Sequence, residues 1–295
     1  MITVRKFLDT FRKNSSLDPS RKETVFTIYD EERGYRAFHE HCKTFHEQTL
    51  DDETDDALIQ CGIEHIQALE ERTASDALKA ILTTSNSSVQ KENIDYSEIL
   101  TVPDRNFITT LFEKIFTQTL DQKLKRYFKS AYCIYWHTFL RTIPSPQARR
   151  SFLWHCDKGP SCHIKLLVYL NGTDEHGGNT DFLDRSTTAA FAKTGYLFGP
   201  VDARQSDLAQ LAKQHHIDFN PLEWEMKPGD GILFEPSQIL HSGILPTKGP
   251  RYVLTFCLLP SPIPWHKAFS RTNGEPLAEN YRWHENADDI RKALI

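Results

Sequence analysis

The sequence has no long apolar run, and its acidic residues outnumber its basic ones. A membrane-spanning helix needs roughly eighteen or more consecutive apolar residues, and a signal peptide needs a shorter apolar core that residues 1–6 lack. General nucleic-acid binding needs a basic surface that neutralises phosphates, whereas the formal net charge here is −5. We therefore expect a cytoplasmic protein that binds neither membrane nor nucleic acid.

The sequence lacks paired cysteines, and this absence argues against two further classes of protein. The six cysteines include no Cys-x-x-Cys pair, so the sequence predicts neither a zinc ribbon nor a disulfide framework. Cys156 lies between a histidine and an aspartate, and on an extended chain its side chain points away from both. We expect all six thiols to be reduced.

The composition is typical of a folded globular protein, with 39% hydrophobic and 11% aromatic residues in a chain of 295. No compositional linker divides the chain, so we predict a single domain over 1–295. Within it we expect a helical N-terminal part at about 1–130, a β-rich core at about 131–260 and a polar C-terminal tail at 261–295.

Two patterns predict helices in the N-terminal part. Ile59, Ile63 and Ile66 recur at i, i+4 and i+7, so we expect one or two amphipathic helices between residues 55 and 80. Residues 107–116 carry a second apolar stripe, and Asp104 or Asn106 would cap that helix. We infer that these helices pack on a sheet.

The character of the sequence changes at residue 131, where short aromatic and β-branched runs begin to alternate with Gly, Pro and Asn turns. Such a series of strands indicates a β sandwich or barrel. The polar segment 199–223 does not fit a core strand, and we interpret it as an insertion at the mouth of a site, helical at 207–216. Residues 282–294 also have helical character. The predicted strands are 131–140, 151–157, 162–170, 180–183, 231–234 and 251–259.

A His-x-Asp pair, His155 and Asp157, is the motif with the clearest chemical meaning. Side chains alternate along an extended chain, so these two point to the same face. With the distant His241 they provide two imidazoles and one carboxylate, the ligand set of non-haem Fe(II) oxygenases, which leaves coordination positions open. Arg251 follows His241 by ten residues and begins an alternating strand, where its guanidinium can bind a carboxylate through two hydrogen bonds.

These residues, in this order, resemble the Fe(II)/2-oxoglutarate-dependent dioxygenases, in particular the phytanoyl-CoA-hydroxylase-like group. The resemblance covers about residues 132–259. It rests on His155-x-Asp157, the turn and strand at 177–182, Pro228-Gly229-Asp230, His241 and Arg251. The resemblance implies a fold that is mainly β with α, namely a double-stranded β-helix (a jelly-roll or cupin-like core) flanked by the N-terminal helices.

The resemblance also implies roles for individual residues. The catalytic Fe(II) ligands would be His155, Asp157 and His241. Arg251 would pair with the distal carboxylate of the cosubstrate 2-oxoglutarate, and O2 would be the second cosubstrate. Related halogenases have Gly or Ala in place of the aspartate, so the presence of Asp157 favours hydroxylation.

Three further residues would assist in binding the cosubstrate. Tyr169 matches a position where relatives place a hydrogen-bonding partner for the distal carboxylate. Thr255 lies four residues beyond Arg251, so it has the strand parity to help. Lys165 shares a strand face with Tyr169, from which it would contact a carboxylate of the cosubstrate or the substrate.

We predict that the protein hydroxylates a C–H bond of a small-molecule substrate, with release of succinate and CO2. Two alternatives stay open: a metal-binding protein of this fold without 2-oxoglutarate turnover, such as a binding module or a cupin-like isomerase, and a peptide or protein hydroxylase. Core packing is the first expectation for Trp136 and Trp154, with substrate lining as the alternative. We expect surface or hydrogen-bonded positions for four other histidines, His163, His176, His215 and His216.

Overall fold

The computed structural model describes residues 30, 34–45, 56–85, 93–94, 97–157, 159–196, 201–277 and 294. In the N-terminal part the helices are α1 (Tyr35–Lys43), α2 (Ala57–Cys61), α3 (Glu71–Ser85), α4 (Arg105–Ile115) and α5 (Gln118–Phe128). The strands there are β1 (Ile63–Gln67), β2 (Asn93–Ile94) and β3 (Ser97–Ile99).

The second half of the chain is built mainly from strands. They are β4 (Ala131–Thr142), β5 (Ile164–Tyr169), β6 (Thr180–Phe182), β7 (Asp230–Phe234), β8 (His241–Gly243) and β9 (Arg251–Ser261). The helices of this half are α6 (Thr173–His176), α7 (Arg185–Lys193), α8 (Ala209–His215) and α9 (Trp265–Arg271). Single 3₁₀ turns occur at Arg150–Phe152 and Val201–Ala203.

The strands form two antiparallel sheets. The larger sheet has the order β1-β7-β5-β9-β4-β3-β2, and the smaller sheet pairs β6 with β8. Isolated bridges extend the smaller sheet, one joining His155 to His241 and the other joining Phe182 to Leu222. This arrangement is a double-stranded β-helix flanked by helices, as the family resemblance implied.

Strand alternation assigns the two faces of the larger sheet different roles. On β5, Ile164, Leu166 and Val168 are fully buried and belong to a core that also contains side chains of α3, α4 and α5. Tyr169, from the opposite face of β5, packs with Phe182 of the smaller sheet. Burial of each such large apolar side chain contributes about 1.5–3 kcal/mol. The helices therefore cover one face, and the other face lines the interior between the sheets.

One predicted helix is wrong in part. The isoleucine stripe between residues 55 and 80 divides at Gly62, which ends α2 with a φ of 76°. Ile63 and Ile66 then lie on β1, which pairs with β7 at the edge of the larger sheet, while Ile59 is exposed. Pairing with a strand far along the chain overrides the local helical periodicity. The helical N-terminal part thus also supplies strands to the core sheet.

Most of the other predicted elements are confirmed. Residues 107–116 lie almost entirely in α4, and the Asp104 side chain accepts a hydrogen bond from the Phe107 N–H at 2.8 Å, so Asp104 is the cap. The predicted strand at 151–157 is wrong, because this stretch contains a 3₁₀ turn and a single bridge at His155. The helix expected at 282–294 lies outside the described residues, apart from residue 294. No helix in the described part of the chain is long and apolar enough to span a membrane.

Candidate metal centre

Two backbone contacts bring the predicted metal ligands together. His155 and His241 exchange a pair of backbone hydrogen bonds, each 3.0 Å long, so the segment before β5 is joined to the start of β8. The centroids of their rings are 4.3 Å apart. The backbone N–H of Asp157 donates to the carbonyl of Pro236 at 2.7 Å, which holds the aspartate beside the two histidines.

The three side chains form a compact donor set. One ligand atom from each of His155, Asp157 and His241 lies within 4.8 Å of those from the other two. Within the described ranges, no other group of three or more His, Cys, Asp or Glu side chains meets this criterion. The structure thus places in one site the three residues that the sequence predicted as ligands.

Both imidazoles are oriented in the same way. His155 Nδ1 lies 2.6 Å from the Leu153 carbonyl oxygen, and His241 Nδ1 lies 2.9 Å from that of Ile239. A carbonyl oxygen can only accept, so each Nδ1 carries the proton and each Nε2 keeps its lone pair for a metal. Burial lowers the pKa of both rings, and that of His241 falls well below its ordinary value. Neutral imidazoles with free Nε2 atoms fit a metal ion.

Asp157 supplies the negative charge of the site. Its Oδ1 lies 3.5 Å from His155 Nε2, and its Oδ2 contacts the ammonium of Lys165. Burial acts to raise the pKa of this carboxyl, but the ammonium of Lys165 holds it well below its usual range. The carboxylate is therefore ionised at neutral pH and available as a ligand.

Cys156 lies on the opposite side of the chain from its two neighbours, as expected. Its side chain is buried with Trp154 in a cluster that includes Leu183 and Phe191. Trp154 therefore packs in a core. None of the six cysteines, all of which lie in the described ranges, forms a disulfide.

Arg251 occupies the first position of β9 and is buried. Its Nη1 group lies within hydrogen-bond distance of three backbone carbonyls, those of Gly178 at 2.8 Å, Asn179 at 2.6 Å and Ile244 at 2.8 Å. Among the described residues, no carboxylate forms an ion pair with it, and the three hydrogen bonds of its guanidinium all use Nη1. Burial lowers the pKa of Arg251, opposed by Tyr169 and Asp181.

Tyr169 lies close enough to Arg251 for each of the two residues to affect the pKa of the other. This tyrosine is fully buried, and its hydroxyl donates to Thr180 Oγ1 at 3.3 Å. Its ring stacks on His176 at 6.1 Å between centroids. Thr255 is also buried and lies on β9 opposite Leu167 of β5. The predicted roles of Tyr169 and Thr255 in binding 2-oxoglutarate stay predictions.

The remaining histidines mostly follow expectation. His163 is buried, and its Nδ1 lies 2.6 Å from the carbonyl oxygen of Pro160. His176 is fully buried and accepts a hydrogen bond from the Gly178 N–H. Burial lowers the pKa of each of these two rings to about 4. His215 and His216 are exposed.

Glu235 is a buried acid that was not predicted from the sequence. Glu235 accepts a hydrogen bond from the Tyr127 hydroxyl at 2.8 Å, and its other oxygen accepts one from Arg185 Nη2 at 2.7 Å. The next residue is Pro236, whose carbonyl holds Asp157. The position of Glu235 directly after the apolar strand β7 could have revealed it, because an acid at the end of a buried strand is itself buried and needs a partner for its charge.

The comparisons with known proteins find likenesses among solved structures alone, since no protein-family model and no curated protein matches the sequence. EctD from S. alaskensis in its apoform matches with a TM-score of 0.47 and 16% identity, over 72% of this chain and 79% of that one. ThoJ, described as a non-heme monooxygenase, matches with a TM-score of 0.45 and 11% identity, over 69% and 75%.

SnoN is described as a non-heme alpha ketoglutarate dependent epimerase from nogalamycin biosynthesis. It matches with a TM-score of 0.42 and 11% identity, over 77% of this chain and 84% of that one. Because these scores and identities are low, the function proposed below rests on the residues of this chain.

Proposed function

We propose that this protein is a non-haem Fe(II)- and 2-oxoglutarate-dependent dioxygenase that hydroxylates a C–H bond of a small-molecule substrate, releasing succinate and CO2. The observation that carries the proposal is the set of three donor atoms from His155, Asp157 and His241, all within 4.8 Å of one another. Two neutral imidazoles and one carboxylate on one side of a metal leave three octahedral positions for other ligands.

The donor set suits iron better than a structural zinc ion. A structural zinc site is closed by four protein ligands and usually contains thiolates, whereas this group has three ligands and no cysteine. Fe(II) and 2-oxoglutarate, when bound, supply the oxidative decarboxylation and the oxidation of the substrate by dioxygen. The protein supplies the ligand geometry, through the two Nδ1 hydrogen bonds and the backbone contact of Asp157.

The buried guanidinium of Arg251 supports an anionic cosubstrate. A buried charge without an ion pair costs several kcal/mol, so such a group usually has a counter-ion in the working protein. The carbonyl contacts of Arg251 all use Nη1, which leaves Nε and Nη2 as a fork of donors. A fork of this kind binds a carboxylate with two parallel hydrogen bonds, and the distal carboxylate of 2-oxoglutarate has that form.

The first part of the experiment tests the metal site. Metal-free protein is dialysed against Mn(II), a redox-inert substitute for Fe(II), and bound metal is counted. We expect one equivalent in the wild type and a loss of affinity of at least about 100-fold in Asp157→Ala and His241→Ala. His215→Ala, which removes an exposed histidine, is the matched control and should bind like the wild type. Equal binding by all four proteins would contradict the assignment.

The second part tests the cosubstrate. Calorimetric titration of 2-oxoglutarate into the Mn(II)-loaded protein should show binding at one site, with much weaker binding to the metal-free form. Binding of Mn(II) without any binding of 2-oxoglutarate would favour the alternative of a metal-binding module or cupin-like isomerase. A peptide or protein hydroxylase would bind both, and it would be distinguished by succinate release that depends on added peptide rather than on a small molecule.

A further inference from the structure

The two oxygens of the Asp157 carboxylate have different neighbours. Oδ1 lies 3.5 Å from His155 Nε2, on the side where the imidazole lone pairs meet. Oδ2 contacts the Lys165 ammonium. A carboxylate can bind a metal through one oxygen or through both, and a cation bound to one oxygen opposes the second mode. Lys165 is thus placed to influence how many coordination positions the aspartate occupies.

The backbone of Lys165 is held firmly in the sheet. It lies on β5, between β7 and β9, where it pairs with Phe234 on one side and Cys257 on the other. Alternation along β5 directs its side chain to the interior face, away from fully buried Ile164 and Leu166. The lysine that contacts Asp157 is therefore fixed by a strand that has a neighbour on each side.

A second contact orients the ammonium group. Lys165 Nζ lies 5.8 Å from the ring centroid of Trp136, within the range of a cation–π attraction. Trp136 on β4 is paired with Cys257, so it stands level with Lys165 across β9. About one-fifth of the lysine side chain and one-quarter of the aspartate side chain are exposed, which leaves the pair only partly screened by water.

We propose that Lys165 is a positioning residue that restricts Asp157 to binding the metal through Oδ1 alone. This inference rests on the proposed metal site and deepens it. If Asp157 chelated with both oxygens, only two of six octahedral positions would stay open, and 2-oxoglutarate would fill both. With Lys165 on Oδ2, three positions stay open, so one is left for dioxygen after the cosubstrate binds.

The test counts the water molecules on Mn(II), because the relaxation rate of water protons reports exchangeable metal-bound water. We expect about three bound waters in the wild type and about two in Lys165→Met, which keeps the length of the aliphatic stem but removes the ammonium donor. Addition of saturating 2-oxoglutarate should leave about one water in the wild type and none in the variant. Lys213→Met, at an exposed lysine of α8, is the matched control and should match the wild type.

Two further variants keep the test decisive. Lys165→Arg retains a cationic donor and should restore the wild-type water count. If Lys165→Met does not fold, Lys165→Ala provides a second neutral variant, with the same expected loss of one water. An unchanged count in a folded neutral variant would overturn the proposal.

The outcomes separate this inference from the proposed function and from the role predicted for Lys165 from the sequence. Failure of the wild type to bind Mn(II) would count against the metal site itself. An unchanged water count combined with weaker 2-oxoglutarate binding would assign Lys165 to the cosubstrate carboxylate instead, and would overturn its role in positioning Asp157.

Discussion

Replacement of Glu235 by alanine should destabilise the protein strongly, because this side chain joins three parts of the fold. It accepts hydrogen bonds from Tyr127 of α5 and from Arg185 of α7, and its own side chain is only 5% exposed. Arg185 in turn donates to the carbonyls of Ile59 at 3.2 Å and Gln60 at 3.1 Å. The substitution would leave the tyrosine hydroxyl and the guanidinium without their shared acceptor.

The size of the effect follows from the burial of the partners. Breaking a buried charge pair by removing one partner costs about 3–5 kcal/mol. Arg185 is 35% exposed, so water recovers part of its interaction energy and the lower end of that range applies to the pair. Loss of the Tyr127 hydrogen bond adds about 1 kcal/mol. We expect a total of about 4 kcal/mol, which corresponds to a fall in Tm of about 10 °C for a chain of this size.

The assay is thermal melting together with urea unfolding, with Tyr127→Phe as a partial variant. Tyr127→Phe removes one hydrogen bond and leaves the ion pair, so it should cost about 1 kcal/mol. Asp76→Ala is the control, because the contacts of Asp76 with Arg72 and Lys79 are well exposed and contribute little. A loss below about 1 kcal/mol in Glu235→Ala would refute the idea that this acid is a structural centre.

Two further predictions concern the buried Arg251 of β9 and the partly buried Asp181 of β6. Arg251→Met should weaken 2-oxoglutarate binding to the Mn(II)-loaded protein by about 100-fold with little change in metal affinity, since it removes the guanidinium that we assign to the distal carboxylate. Equal 2-oxoglutarate affinity in calorimetry would contradict that role. Burial, together with Glu223, raises the pKa of Asp181 to about 6 from an ordinary 3.8, so the folded state loses stability as the pH rises through 6. Asp181→Asn should therefore melt at least about 2 °C higher than the wild type at pH 8, and the difference should vanish near pH 4; a difference independent of pH would rule out this explanation.

Local patterns in the sequence predicted much of the fold. The apolar stripe at 107–116 and the preceding Asp104 identified a helix and its cap, because both signals act within one or two turns. The short runs after residue 131 identified β4, β5, β6, β7 and β9 for the same reason, but they missed β8 and wrongly added a strand at 151–157. The order of His155, Asp157 and His241 predicted a shared site that the structure brings within 4.8 Å.

The features that were not predicted depend on distant partners. β1 was taken for a helix because its pairing strand, β7, lies far along the chain, and a short isoleucine pattern fits either structure. Glu235 meets partners 108 and 50 residues away, and neither spacing leaves a local signal. The ion pair between Lys165 and Asp157 depends on how the loop before β5 folds back. No periodic pattern in the sequence predicts the path of this loop.

The most direct test of the proposed function is anaerobic addition of Fe(II), followed by 2-oxoglutarate, to the metal-free protein. A chelate of 2-oxoglutarate with Fe(II) gives a weak charge-transfer band in the visible spectrum. We predict that the band forms in the wild type at one equivalent of iron and is absent in Asp157→Ala at the same concentrations. Binding of iron without formation of the band would contradict the assignment of this protein as a 2-oxoglutarate-dependent dioxygenase.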